Sequence, residues 1–522
     1  MRISTAQFYE SSAANYQKNF ANAVKSSEEA SSLVRVNTAA DDPVGASRLL
    51  QLGQQASMLD QYTANTNAIK ATLGTTESVM TSIGNVLQRA RELAIGAGNG
   101  AYADADRQAT ASELGQIEEQ LLSLMNTKDE SGKYIFAGSK GDTVPFSRNS
   151  DGTYSYNGDQ TTLNLPIGDT MSMAANSTGW EAFQQAINTS RSQTALTSPA
   201  VNDGRVLLSD GLVSASATYN NRFRSGEPYT VDFLSGTQLK ITDASGNDVT
   251  AEASQNGAFS SKDATTQSIN FRGLELRLNI NLQAGDTDPD AVIAGHSFSL
   301  TSKPDSFNVS RSPGNPSTAQ VTASTVSNAA DYNGSFPTGG AILKFTSATG
   351  YELYASPFTA DSKPVSTGSL VGSTATAAGV DFNLSGAPQA GDQYVIAVNN
   401  HQTQNILDTV SQLRSALLAP ISTDPVLGQR FTAELSAGIS NLTSGTEQLS
   451  SALSSVGGRG AALDTQTEAN ASISLANKQT QSAIRDSDPA EVMTRLTLQQ
   501  TMLQASQLAF SKIAQLGLFN KV

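Results

Sequence analysis

From Leu59 to Ala94 the apolar residues recur in alternating steps of three and four: Leu59, Tyr62, Thr66, Ile69, Leu73, Thr76, Met80, Ile83, Leu87, Ala90 and Ala94. Held for about five heptads, such a seam stays on one side of a helix and requires another helix to cover it. The start is marked as well. Asp41 or Asp42 can cap the helix, and Pro43 fits its first turn, where a missing N–H costs nothing. The cluster "GAGNGAY" at residues 96–102 predicts its end. A following helix carries Leu114, Ile117, Leu121 and Leu124 at the same spacing, so the two form an antiparallel hairpin.

The other end of the chain answers in kind. Ile406, Val410, Leu413 and Leu417 form a short seam that "APISTDP" breaks. The next helix has Phe431, Leu435, Gly438, Leu442, Gly445, Leu449, Ala452 and Val456 in register. Its small residues cost helix propensity but admit a neighbouring helix at close range. A second break is expected at "GGRGAAL", residues 457–463. The last helix then starts with Asp488 as cap, Pro489 in the first position and Glu491 placed to close a capping box. Leu496, Leu503, Phe510 and Gly517 follow at intervals of seven.

Between these ends the pattern changes. Short β-prone runs alternate with Gly, Asn, Asp, Ser and Pro clusters from "GKYIFAGSKGDTVPF" onward, and "GTYSYNGDQTTLNL" alternates at period two. Two stretches share one plan of paired strands, a gap, a strand, an "AGD" turn and a last strand, so the middle reads as a duplicated β module. The expected fold is α + β and multidomain. The N- and C-terminal helices pack together in a long coiled-coil-like bundle, with β-rich domains inserted in the middle. Residues 1–40 and 487–522 are expected as terminal assembly helices, and 41–140 with 401–486 as a helical rod. Residues 141–204 are expected as β-rich elements on the rod, 205–305 as the first β module and 317–400 as the second. The rod seam is assigned to Leu59, Tyr62, Ile69, Leu73, Met80, Ile83, Leu87, Leu435, Leu442 and Leu449.

Composition excludes several functions. The net charge of −14 argues against nucleic acid and anionic membranes, which need basic patches. The absence of cysteine removes disulfides, thiol catalysis and Cys-ligated zinc. The start "MRISTAQFYESSAANYQKNF" has no apolar h-region, so no cleaved secretory signal is expected, and no run is apolar enough to predict a membrane span. Charged residues make up only 15%, which suits surfaces that copies of the chain cover and equally a chain moved while unfolded; composition alone does not choose between them.

The ends are sparse in large apolar residues. Ordering one residue costs roughly 1–2 kcal/mol of backbone entropy. Burying one large apolar side chain returns roughly 1.5–3 kcal/mol. With one such residue in four or five, neither end should hold its shape alone. Either they are frayed tips of one bundle, or they order against neighbouring subunits. The second reading makes Ile3, Phe8, Tyr16, Phe20 and Val24 the N-terminal assembly residues. Leu496, Leu503, Phe510, Ile513, Leu516, Leu518 and Phe519 are their C-terminal counterparts.

Catalytic chemistry is not expected. His296 and His401 are far apart and read as turn or surface residues, so a His-Glu-x-x-His zinc site is impossible. The glycines of "GAGNG" lack the strand, lysine and hydroxyl of a phosphate loop. "AGDTDPD" lacks the ligand spacing of a calcium loop and reads as an acidic turn, and "DASGNDV" reads as a hairpin turn. Trp180 is expected in the β core. No nucleophile–base pair, metal site or cofactor site is expected, and the chain is read as no enzyme.

"NVLQRARELAIGAGNG" closely resembles the signature of bacterial flagellins, carried here by Arg89, Arg91, Glu92 and Leu93. From the residues alone, Arg89, Arg91 and Glu92 read as a solvated or interhelical ion-pair face; the resemblance adds a possible role at a subunit contact. "RVNTAADDPVGASRL" and "AIRDSDPAEVMTRLTLQQTMLQAS" resemble other flagellin segments, so the likeness covers both helical ends. "MRISTAQFY", "GKYIFAGSKGDTVPF" followed by "GTYSYNGDQ", and "LGLFNKV" are similar to the hook–filament junction branch of that superfamily. The resemblance implies a junction layer that self-assembles through its helical ends after unfolded export. Its implied partners are copies of itself, the first hook-associated protein on the hook side, flagellin on the filament side, and a cytoplasmic export chaperone with the flagellar export apparatus. The implied location is the extracellular flagellum. The duplicated β module exceeds what the family requires. Two other readings remain: a filament flagellin, and a surface adhesin whose β modules bind carbohydrate through Tyr229, Phe233, Tyr351 and Tyr354.

Overall fold

The computed structural model describes residues 2–99, 103–149, 152–262, 266–359, 361–421 and 425–519. Helix α1 spans Arg2–Ser32, α2 Pro43–Ala97 and α3 Asp104–Met125. Asp42 caps α2, its Oδ1 accepting from the N–H groups of Val44 at 3.1 Å and Gly45 at 2.9 Å. Two small hairpins follow, β1–β2 (Phe146–Arg148, Tyr154–Tyr156) and β3–β4 (Asn164–Pro166, Ser172–Ala174), then β5 (Ala186–Ile187).

The first β module contains β6 (Ser192–Ser198), β7 (Val206–Leu208), β8 (Leu212–Val213), α4 (Ser216–Thr218), β9 (Tyr229–Phe233) and β10 (Leu239–Thr242). It is completed by β11 (Gln267–Phe271), β12 (Leu274–Ile280), α5 (Pro289–Ile293) and β13 (Ser297–Ser302). The second contains β14 (Ser306–Arg311), β15 (Val321–Val326), α6 (Ala329–Ser335), β16 (Ala341–Phe345) and β17 (Gly350–Ala355). It continues through β18 (Ser366–Ser369), β19 (Thr374–Ala377), β20 (Val380–Leu384) and β21 (Gln393–Asn399). Then come β22 (Thr403–Gln404), α7 (Ile406–Leu418), α8 (Pro425–Arg485) and α9 (Pro489–Phe519).

The two modules are built alike. One sheet of the first runs β6-β13-β9-β10, and one sheet of the second runs β14-β21-β16-β17 with β18 added at the edge. The facing sheets run β7-β12-β11 and β15-β20-β19. Each module has a left-handed pair at the same turn, Arg272-Gly273 in one and Ala378-Gly379 in the other. A β-carbon on either glycine would run into backbone, 2.7 Å from the Ala215 carbonyl or 2.4 Å from that of Asn328. Each core is a separate cluster, around Tyr229, Phe271 and Leu276 in one and Phe345, Phe382 and Tyr394 in the other.

The chain divides into two compact units. One holds the chain through Gly74, residues 163–176, and the chain from Val456; the other holds Thr75–Thr162 and Ser177–Ser455. In the first, α2 and α8 lie antiparallel: Lys70 Nζ reaches Asp464 at 2.6 Å, and Asn477 Nδ2 donates to the Leu52 carbonyl at 3.0 Å. The β3–β4 hairpin braces this pair. Asn65 Nδ2 donates to Pro166 O at 2.7 Å and Asn470 Nδ2 to Ile167 O at 2.9 Å, with the Ile167 side chain fully buried. In the second unit α2, α3, α7 and α8 form a bundle. Leu87, Ala90, Ala94, Leu114, Leu121, Leu413 and Leu442 are buried there.

Several expectations need correction. No break exists at residues 457–463, because α8 runs through them. Val456 and Leu463 are buried, while β-carbons on Gly457, Gly458 and Gly460 would meet open space. Each glycine costs about 1 kcal/mol of propensity, less than unpairing the several carbonyls of a helix end. Strands β6 and β14 belong to the modules, outside the boundaries of 205–305 and 317–400, since β6 pairs with β13 and β14 with β21. β6 carries no strict alternation and is identified by its partner strand, whereas Phe307 and Val309 of β14 alternate with polar residues, a local signal that the boundary at 317 passes over. His296 is buried, its Nδ1 2.9 Å from the Ile293 carbonyl and its Nε2 3.1 Å from Asp203 Oδ1. Trp180 is half-buried beside Tyr156, outside the two module cores. Asp488 caps α9 through Ala490 N at 2.8 Å, but Glu491 leans to Arg495 at 3.7 Å instead of closing a box.

Candidate assembly surfaces

Helices α1 and α9 pair antiparallel. Asn19 Nδ2 donates to Ser506 Oγ at 2.6 Å, Tyr16 stacks on Phe510 at 6.3 Å between centroids, and Gln507 Nε2 donates to the Tyr16 hydroxyl at 3.3 Å. Nearer the junction, Glu29 pairs with Arg495 and accepts from Ser487 Oγ. Burial works to raise the Glu29 carboxyl, but these hydrogen bonds and the guanidinium outweigh it and leave the pKa below its ordinary value. The chain ends are therefore helical and lean on each other, where sparse apolar content predicts no shape for either alone. Each supplies part of the covering face the other lacks.

The two connections are pinned as well. Leu33 adopts φ +56°, and its carbonyl accepts from Ser487 N at 3.0 Å. Arg35 donates through N to Arg485 O and through Nη2 to Ile484 O, both at 2.7 Å. Asp41 accepts from Thr38 and pairs with Lys25 Nζ at 2.8 Å. These bonds set where α1 and α9 leave the ribbon of α2 and α8.

Among the assembly residues named from sequence, Leu496, Leu503, Tyr16 and Phe510 are half-buried, and Phe20 and Val24 are exposed. The side chains of Ile3, Phe8, Ile513, Leu516, Leu518 and Phe519 lie outside the described residues. Sequence reasoning missed Met493, Leu498, Met502 and Leu508, which are 51–61% exposed on α9. They sit off the seven-residue repeat; only the density of large apolar residues in that helix could have flagged them. Phe20 and Val24 are exposed on α1 in the same way, so both helices of the pair keep open apolar side chains.

The rod carries a second set of contacts. Leu59, Ile69, Leu73, Met80, Ile83 and Leu87 are buried along α2, as are Leu435, Leu442 and Leu449 along α8, and Tyr62 is half-buried. The Thr66 and Thr76 positions of the seam are completely buried, and Thr66 Oγ1 donates to the Tyr62 carbonyl at 2.7 Å. Arg89 reaches Glu113 of α3 at 2.6 Å and Glu92 at 3.7 Å, both on the solvent side, while Arg91 and Leu93 are half-buried. Glu118 of α3 is the buried polar centre. It accepts from the Tyr154 hydroxyl at 2.6 Å and lies 3.0 Å from Arg414 Nε and 3.6 Å from Arg148. Burial and that carboxylate push the Tyr154 phenol upward.

The two histidines have different partners: His401 Nε2 donates to Pro304 O at 3.0 Å, whereas His296 faces Ile293 and Asp203. In "AGDTDPD" each carboxylate has a structural partner: Asp286 pairs with Arg205, Asp288 caps α5, and Asp290 accepts from Gly236 N. Among the described residues no group of three or more His, Cys, Asp or Glu could hold a metal ion, and no helix is long and apolar enough to cross a membrane.

Comparison with known proteins bears on the N-terminal helical region first. Residues 3–141 match the family of the bacterial flagellin N-terminal helical region. The chain is 32% identical over 183 residues to the flagellar hook-associated protein 3 of Salmonella typhimurium, covering 35% of this chain and 57% of that protein. The same figures hold for the flagellar hook-associated protein 3 of Escherichia coli. The match thus spans a little over half the length of these curated relatives. Among solved structures, the flagellar hook associated protein-3 of Legionella pneumophila superposes with a TM-score of 0.52 at 21% identity, covering 83% of this chain and 99% of that one. At that identity the likeness is one of fold: long terminal helices around a β-rich middle. The resemblance to the flagellin superfamily, and within it to hook-associated proteins, stands on these matches.

Proposed function

We propose that this chain, with its flagellin-type N-terminal region, is a structural subunit of the bacterial flagellum. It forms the junction layer between hook and filament and assembles through its helical ends. The observation that carries this reading is the α1–α9 hairpin, which covers one side of each helix and leaves Phe20, Val24, Met493, Leu498, Met502 and Leu508 open. An apolar surface of this kind on a helical pair is stable in water when other copies cover it. The role has no catalytic step. Its neighbours are copies of the same chain, the first hook-associated protein below and flagellin above. The subunit reaches them unfolded, through the flagellar export apparatus with a cytoplasmic chaperone, and works outside the cell. In this reading the terminal helices gain their lasting order from sister molecules.

Removal of about thirty residues from either end tests it, given that one helical turn needs only 3.6 residues and several turns form each contact. The truncated protein should remain folded and soluble yet fail to restore swimming to cells lacking the intact protein. Restored motility would refute assembly through the ends. Filament growth by the purified protein alone on filament seeds would point to a flagellin instead.

A further inference from the structure

Each β module ends where it began. Ser192 of β6 pairs with Ser302 of β13, and Ser306 of β14 pairs with Asn399 of β21. The second module is therefore joined to the rest by residues 303–305 on one side and 400–402 on the other. Two short tethers by themselves leave such a module free to swivel.

A carboxylate sits at this pivot. Asp305 is buried, and its Oδ2 accepts from the Tyr332 hydroxyl at 2.7 Å, from α6 of the second module. Both carboxylate oxygens also face Nη2 of Arg224 in the first module, at 3.4 and 3.3 Å. Arg224 lies 3.8 Å from Glu227, which accepts from the Ser302 hydroxyl at the end of β13. Tyr332 is seated by Phe307 and Phe336, with centroids 5.7 and 5.2 Å away. Burial and the Asp305 carboxylate push its phenol upward, so it remains a donor. On the return tether, His401 Nε2 donates to the Pro304 carbonyl at 3.0 Å.

The first module offers an internal comparison. Its tyrosine at the same place in the fold, Tyr219, donates to the Arg191 carbonyl at 3.0 Å, just before β6. Each module thus uses a tyrosine to hold its own incoming chain. In the second module the incoming chain also carries a side chain that grips the preceding module.

We propose that Asp305 is the joint that makes the two β modules one rigid arm, by bonding Arg224 of the first and Tyr332 of the second at once. This goes beyond the junction reading and does not depend on it. The chain lacks cysteine, so spin labels on Ser245→Cys and Ala348→Cys, at exposed turns of the two modules, report one distance. The full chain should give a single narrow distance distribution. Asp305→Ala and Tyr332→Phe should each lose it, giving a broad or split distribution, while the melting of each module stays in place. If Asp305→Ala does not fold, Tyr332→Phe, which removes one hydroxyl, decides. A broad distribution in the unaltered chain, or a narrow one kept in the folded variants, overturns the proposal.

Discussion

Gly438 of α8 lies so close to Leu413 of α7 that a β-carbon on it would stand 2.2 Å from Leu413 Cδ2. Real atoms do not approach to that distance, so the glycine sets the spacing of the two helices. Gly445, one heptad on, is also tight: the same atom would stand 3.1 Å from Ile406 Cγ1, so that side chain would have to give. Gly438→Ala should therefore destabilise the bundle by about 1–3 kcal/mol through overpacking. Gly460→Ala, where a β-carbon meets open space, should stabilise α8 by about 0.5–1 kcal/mol. Thermal melting followed at 222 nm compares them. A shift in the same direction for both would refute the close-approach account.

Glu118 should be the most sensitive polar position of the rod. Its carboxylate is 1% exposed and serves Tyr154, Arg414 and Arg148 together. Glu118→Ala leaves those groups without their shared partner, and breaking a buried pair in this way costs about 3–5 kcal/mol. Tyr154→Phe removes one hydrogen bond and should cost about 1 kcal/mol. Calorimetric melts rank the two; equal losses would show that Glu118 is not the centre of the cluster.

Acid should release the start of α2 from α1. A hydrogen bond from Lys25, and others from Thr38, hold the Asp41 carboxyl at about 2, below its usual 3.8. A depressed folded value means that its stabilisation is present above about pH 4 and is lost as pH falls from 4 towards 2. Glu29, also below its ordinary value, adds in the same direction at the α1–α9 contact. Carboxyl-carbon NMR titration should place the Asp41 midpoint near 2, and Lys25→Ala should move it upward. A midpoint already at the ordinary value would remove this contact from the account.

The second β module should be dispensable for the fold of the rest. Ser306 and Asn399 face each other across β14 and β21, so joining residue 305 to residue 400 closes a gap of one strand spacing, about 5 Å. The shortened chain should keep the helical signal of the rod and the melting of the first module, whose core cluster holds no residue of the second. Collapse of the first module on deletion would show a shared core instead.

Much of the fold was legible because helices impose a period. The seam from Leu59 to Ala94 alternates three and four, and its positions, including the polar Thr66 and Thr76, point inward. The cap at Asp42 with Pro43, and Asp488 with Pro489, follow from local backbone chemistry and needed no knowledge of neighbours. The duplicated plan of the middle was visible as repeated turns and alternating strands. What failed were positions whose state depends on distant chain. Residues 457–463 look like a helix break, yet α8 continues because Val456 and Leu463 are buried on either side of the glycines. His296 looks like a turn residue, yet Asp203 and Ile293 close around it.

By itself the sequence determined the long helices, their caps and the α + β class, since these rest on periodicity and on bonds between residues a few places apart. The tertiary structure alone decided that Tyr16 meets Phe510, that Met493 and Met502 stay open, and that one carboxylate at Asp305 joins two modules. Those contacts join residues that are far apart in the chain or, in the modules, belong to separate cores, and no local propensity encodes them. They exist because packing each element's one covered face leaves a particular remainder exposed.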